Sequence, residues 1–138
     1  MKIKCIAETI KPQNHNEKIV EWVKKSELEI TKGKVYVVLA ISKYLDTLFY
    51  YILGDESENY PLAFPSELFE IISNRISEYW DTDLEQIIAL EDIKIENNDV
   101  ISFKEWSLNK DLFYENLLEE KKHEMAVFNV YRDKMMIE

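Results

Sequence analysis

The side chains able to do chemistry are few in this sequence, and their spacing limits what they can do. Cysteine occurs once, at Cys5, and histidine twice, at His15 and His123. A structural zinc site needs four Cys or His ligands, so this set cannot build one. His123-Glu124-Met125-Ala126-Val127 begins like the helical zinc-protease motif, but Val127 stands where the second imidazole must be. Glu120 and His123 keep the three-residue step of di-iron bundles, yet that site needs a second such pair and further inward glutamates. His15 falls in a loop, so His123 reads as a surface histidine beside carboxylates. Cys5 as a nucleophile requires His15 or His123 as its base. Its place in a strand beside Ile6 predicts a buried, inert thiol instead.

The remaining near misses are acidic or glycine-based. Asp81, Asp83, Glu85 and Asp92 occupy the first, third, fifth and twelfth positions of a calcium-loop frame. The sixth position, where a sharp turn demands glycine, is Gln86, and the twelfth lacks the longer bidentate glutamate. Gly33 and Gly54 are the only glycines, too few for a backbone cradle around phosphate. No residue is therefore assigned a catalytic or metal-binding role, no cofactor is expected, and the sequence reads as that of a non-enzymatic protein.

Charge says more, once divided along the chain. The formal net charge is −10. Residues 1–69 hold nine lysines against ten acids, whereas residues 70–138 hold eight basic and seventeen acidic side chains. A field of that sign repels nucleic-acid phosphates and anionic lipid and attracts basic proteins. Neither nucleic acid nor membrane is expected as a partner. Glu78, Asp81, Asp83, Glu85, Glu91 and Asp92 crowd one stretch with no Lys or Arg between Arg75 and Lys94. They are expected, with Trp80 among them, to form a partner-binding patch where sheet meets helices. The competing reading is a solvated face, neutralised by lysines such as Lys121 and Lys122. Aromatics crowd residues 36–64, at Tyr36, Tyr44, Phe49, Tyr50, Tyr51, Tyr60 and Phe64. Most must be core or cross-strand pairs. A groove lined by Tyr44, Tyr50 and Trp80 would instead suit a small-ligand or peptide-binding module.

The elements that must position these residues follow from pattern. The 138 residues fit one domain, 1–138, with 46% hydrophobic residues to build a core. The start of the sequence holds no apolar run of signal-peptide length, and one cysteine suits a reducing compartment, so a cytoplasmic location is expected. Lys2–Ala7 reads as a strand, and residues 11–16 as a loop. The region from Ile19 to Ile30 reads as irregular, although Ile19, Val20, Trp22 and Val23 fit one helical turn. Val35–Ile41, Leu48–Leu53, Tyr60–Phe64 and a run from Phe69 predict four short strands. Ser42–Thr47 reads as the first connection, Gly54–Asn59 as the second, and Pro65–Phe69 as a single helical turn. Pro61 places the third strand at an edge. Asp81 and Asp83 suit caps ahead of Leu84–Leu90, and Asp92–Ile101 holds one more strand. From Ser107 the chain reads as helix, with stripes Leu112, Phe113, Leu117 and Val127, Val130, Tyr131, Met135, broken near Glu120–Lys122. Sheet first and helices last, mainly β to about residue 80 and helical over about 105–136, mean α+β: a small, partly open antiparallel barrel or curled sheet.

Three stretches carry a resemblance. Lys32-Gly33-Lys34-Val35-Tyr36-Val37-Val38-Leu39-Ala40-Ile41, Tyr50-Tyr51-Ile52-Leu53-Gly54-Asp55 and Phe64-Pro65-Ser66-Glu67-Leu68-Phe69-Glu70-Ile71-Ile72 together resemble a group of small bacterial cytosolic proteins. That group has an SH3-like β-barrel, and its genes lie near polymorphic or contact-dependent toxin genes. Trp106, Phe113-Tyr114 and Ala126-Val127-Phe128 are similar, more loosely, to its helical tail. Phe64 departs from the Trp or Tyr usual there. The resemblance implies an SH3-like barrel and an immunity protein that binds and neutralises a toxin domain. The acidic half implies that the toxin domain is basic.

Overall fold

The computed structural model describes residues 1–9, 16–25, 28–57, 59–82, 90 and 93–138. Strand β1 covers Lys2–Cys5, and its alternation buries Ile3 and Cys5 while Lys2 faces solvent. It ends earlier than the pattern predicts, for a hydrogen-bonding reason. The N–H groups of Ile6 and Ala7 both donate to the Leu68 carbonyl, at 2.9 and 3.3 Å, which takes the chain off the ladder.

Helix α1, Glu17–Lys25, corrects the irregular reading of this region. Asn16 starts it: its side-chain oxygen accepts the Lys18 N–H at 2.9 Å, and its carbonyl accepts from Ile19 and Val20. Glu17 opens the helix and Lys24 and Lys25 close it, each suited to the helix dipole. Ile19, Val20 and Val23 form the buried face; Trp22 lies off it, 44% exposed.

The run expected as one strand over Val35–Ile41 divides into β2, Val35–Val37, and β3, Ala40–Tyr44. The division falls where backbone partners change. Val38 N–H donates to the Met1 carbonyl at 3.0 Å, and the next N–H, of Leu39, donates to the Tyr51 carbonyl at 2.8 Å. Val38 to Ile41 are all buried, so this crossing point is also core. Strand β4 covers Thr47–Ile52 and pairs with β3 through a turn of only Leu45 and Asp46, shorter than the connection expected over Ser42–Thr47. Strand β5 is Leu62–Pro65, followed by a 3-10 turn at Ser66–Leu68 and β6 at Phe69–Ser73. Strand β7 is the pair Val100–Ile101, at the end of the range expected for it.

Among the described residues the strands form two antiparallel sheets, in the orders β2-β1-β6 and β5-β4-β3-β7, and neither closes on itself. Strand β5 sits at an edge, as Pro61 predicts. The two faces of β4 serve different layers. Tyr50 is buried toward the three-stranded sheet, its ring 6.0 Å from Phe69, which also meets Tyr36 and Phe64 edge-on. The next residue, Tyr51, points the other way and meets Trp106 at 5.0 Å and Tyr114 at 5.2 Å.

Those rings belong to the helices. Helix α2 spans Lys104–Leu118 and α3 spans Lys122–Met136, so helix begins three residues before the expected Ser107. The break between them lies where expected. It is a Schellman-type cap in which Glu120 takes φ 57°, Glu120 N–H reaches the Leu117 carbonyl and Lys121 N–H the Asn116 carbonyl. Phe113, Leu117 and Met135 are buried as their stripes predict, but Leu112 and Val130 are 60% and 52% exposed. Phe113 and Leu117 stand four residues apart, in phase; Leu112 lies a full helical step off that line. Among the described residues the architecture is α+β: two open antiparallel sheets, one helix inserted after β1, and a helical hairpin following β7.

Candidate functional site

The acidic segment is held at both ends. Ser77 Oγ donates to Glu138 Oε1 at 2.5 Å, Glu78 N–H donates to Glu138 Oε2 at 3.1 Å, and Asp81 N–H donates to the Ser102 carbonyl at 2.8 Å. Glu78 and Asp81 are thereby fixed in the backbone while their side chains stay exposed. A hydrogen bond from the Tyr79 hydroxyl to the Glu78 carboxylate pushes the Tyr79 pKa up, and Lys134 lies over the Tyr79 ring at 5.4 Å. Trp80 sits between the two acids in sequence but not at the surface. It is 5% exposed, and its indole Nε1 has no hydrogen-bond partner among the described residues. Asp83, Glu85, Glu91 and Asp92 lie outside the described residues, as do the expected turn over Leu84–Leu90 and most of the calcium-loop frame. Lys121 does not reach back to the segment; its ammonium lies 3.5 Å from Glu119.

The chemistry-bearing residues are scattered. Burial pushes the Cys5 thiol pKa up, and its Sγ donates to the Ala7 carbonyl at 3.5 Å. His15 lies outside the described residues, and His123 is exposed in the first turn of α3. Glu120 sits in the interhelical cap rather than on a helix, so Glu120 and His123 do not share a helix face. Among the described residues no three His, Cys, Asp or Glu side chains come together as a metal site would require. One carboxylate is strongly perturbed. Asp55 accepts from Lys34 Nζ at 2.7 Å, Thr31 Oγ1 at 2.5 Å and Tyr36 OH at 2.8 Å, and these bonds, led by Lys34, bring its pKa down to about 2. The cluster lashes two loops together, since Asp55 N–H also donates to the Glu29 carbonyl at 2.7 Å. Gly54 is needed beside it, because a Cβ there would lie 2.9 Å from that same carbonyl.

The groove expected from Tyr44, Tyr50 and Trp80 is not formed. Tyr44 is 53% exposed, but Tyr50 and Trp80 are buried. Two other hollows open around Trp22, which lines both. One, of about 280 Å³, is walled by Lys18, Ile19, Trp22, Tyr44, Leu45 and Phe49. The second, of about 390 Å³, is lined by Trp22, Leu28, Glu29, Leu62, Ala63, Phe64 and Tyr114. The missed signal was Trp22 itself, a large ring out of phase with Ile19, Val20 and Val23 on a short helix.

No helix among the described residues is long and apolar enough to cross a membrane. Fold and sites together define an α+β protein with no assembled catalytic set among the described residues. Comparison with family models, with curated proteins and with solved structures returns no match.

Proposed function

We propose that this protein is a non-enzymatic, immunity-type binding protein: an SH3-like, partly open barrel with a helical hairpin that captures and neutralises a basic toxin domain. The strand order supports the barrel reading. One continuous run, β2 into β3, feeds both sheets, and a 3-10 turn links β5 to β6, which returns to pair with β1. The observation that carries the functional reading is the segment Ser77–Asp81. Its backbone is pinned to Glu138 and Ser102, and it presents Glu78 and Asp81 from the strongly acidic half of the chain. Fixed carboxylates of this kind speed encounter with a basic surface and can stand where its anionic substrate would bind.

The test mixes the purified protein with the C-terminal domain of the toxin encoded beside its gene. Association at micromolar concentration in low salt is expected, with loss of toxin activity. The double reversal Glu78→Lys with Asp81→Lys slows association by about tenfold or more, with little change in melting temperature. Failure to associate under those conditions sinks the proposal.

A further inference from the structure

We propose that the protein has a second binding site, which takes an extended segment of a partner protein along the outer edge of β5, against Trp22. It shares no residue with the acidic segment and does not rest on the toxin reading.

Among the described residues strand β5 is the last strand of its sheet and pairs on one side only, with β4. The Pro61 carbonyl just before it is taken by the Tyr114 hydroxyl at 2.8 Å, so the open edge begins at Leu62. There Leu62, Ala63 and Phe64 line the larger hollow together with Trp22 and Leu28. An edge whose peptide groups meet an apolar wall is a template for one further strand: main-chain bonds supply affinity, and alternate side chains fill the hollow. Trp22 stands on a capped helix, so its ring is presented on a rigid support, as interface anchors commonly are.

The smaller hollow adds a second sign. Leu45 takes φ 49° and Asp46 φ 59°, in a two-residue turn that favours Asn-Gly. A leucine in that conformation is strained, yet its side chain walls the hollow beside Tyr44 and Phe49.

Charge selects the occupant. Lys18 lines the smaller hollow and Glu29 the larger, and neither forms an ion pair among the described residues. The matching segment is a strand with an apolar centre, a carboxylate for Lys18 and a cation for Glu29. A second copy of this chain, at −10, is opposed by mutual repulsion.

The probe is a short acetylated and amidated peptide of alternating valine and threonine, with glutamate at one end and lysine at the other. A second peptide carries the two charges exchanged. Trp80 and Trp106 are buried, so a change in tryptophan emission reports on Trp22. One charge order is expected to bind with a Kd of about 10–100 µM, and the other about fivefold more weakly. The variant Lys18→Glu with Glu29→Lys reverses that preference. N-methylation of alternate amides in the tighter peptide abolishes binding in one phase and spares it in the other, because a ladder uses every second residue. This last measurement uses the unaltered protein, so it decides even if the variant fails to fold. No binding by either peptide up to about 1 mM, equal binding by both, or indifference to the N-methylation phase overturns the proposal.

Discussion

Asp55 shows how one exposed carboxylate can organise two loops. Its side chain is 26% exposed, and three donors from Thr31, Lys34 and Tyr36 converge on it. Its folded pKa, about 2, lies below the 3.8 of a free aspartate. A carboxylate depressed on folding stabilises fully above its unfolded pKa, and that contribution fades as pH falls from about 4 through 2. Solvent screening limits the amount to about 1 kcal/mol. The variant Asp55→Asn is therefore expected to melt lower than the parent at pH 7 and to converge with it near pH 2, as followed by circular dichroism. An equal difference at both pH values means that the loss lies in packing rather than charge. None of this was legible in the sequence, where Asp55 is one acid in a turn; its donors come from residues more than eighteen positions away.

Among the elements, α2 carries the clearest conflict between local preference and position. Lys110 interrupts it with φ 40° and ψ −118°, a conformation that a side chain resists and glycine accepts. Its ammonium lies 3.5 Å from Asp99, but both side chains are largely exposed, so that pair contributes little. Lys110→Gly is expected to raise stability by about 1 kcal/mol, or a few degrees in melting temperature. Lys110→Ala, which loses the pair and keeps the strain, is not expected to do so. Strands β4, β5 and β6 were readable because β-branched and aromatic runs, Pro61 and Pro65 all act locally. The division of β2 from β3 was not, since Val38 and Leu39 look like any buried strand until their partners, Met1 and Tyr51, are known. Helix α1 was overlooked for a different reason. Its cap is an asparagine at the margin of a polar loop, and its one tryptophan faces away from the apolar stripe.

For the molecule as a whole, charge is the dominant global property. With a net charge of −10, its own acids repel one another at low ionic strength. Raising sodium chloride from about 20 to 300 mM is expected to raise the melting temperature, since the screening length then shortens several-fold. A melting temperature that falls with salt would show that attractive pairs outweigh the repulsion. The position of β1 has a different consequence, which concerns how the chain is made. Strand β1 lies between β2 and β6, and Cys5 pairs with Phe69, 64 residues later. At about 5–20 residues per second, the ribosome takes several seconds to deliver that second partner. Until then Ile3 and Cys5, both fully buried in the finished protein, have only one flank covered. Strand β1 is thus made well before it is enclosed, and the Cys5 thiol, buried in the folded state, is open to oxidation during that interval.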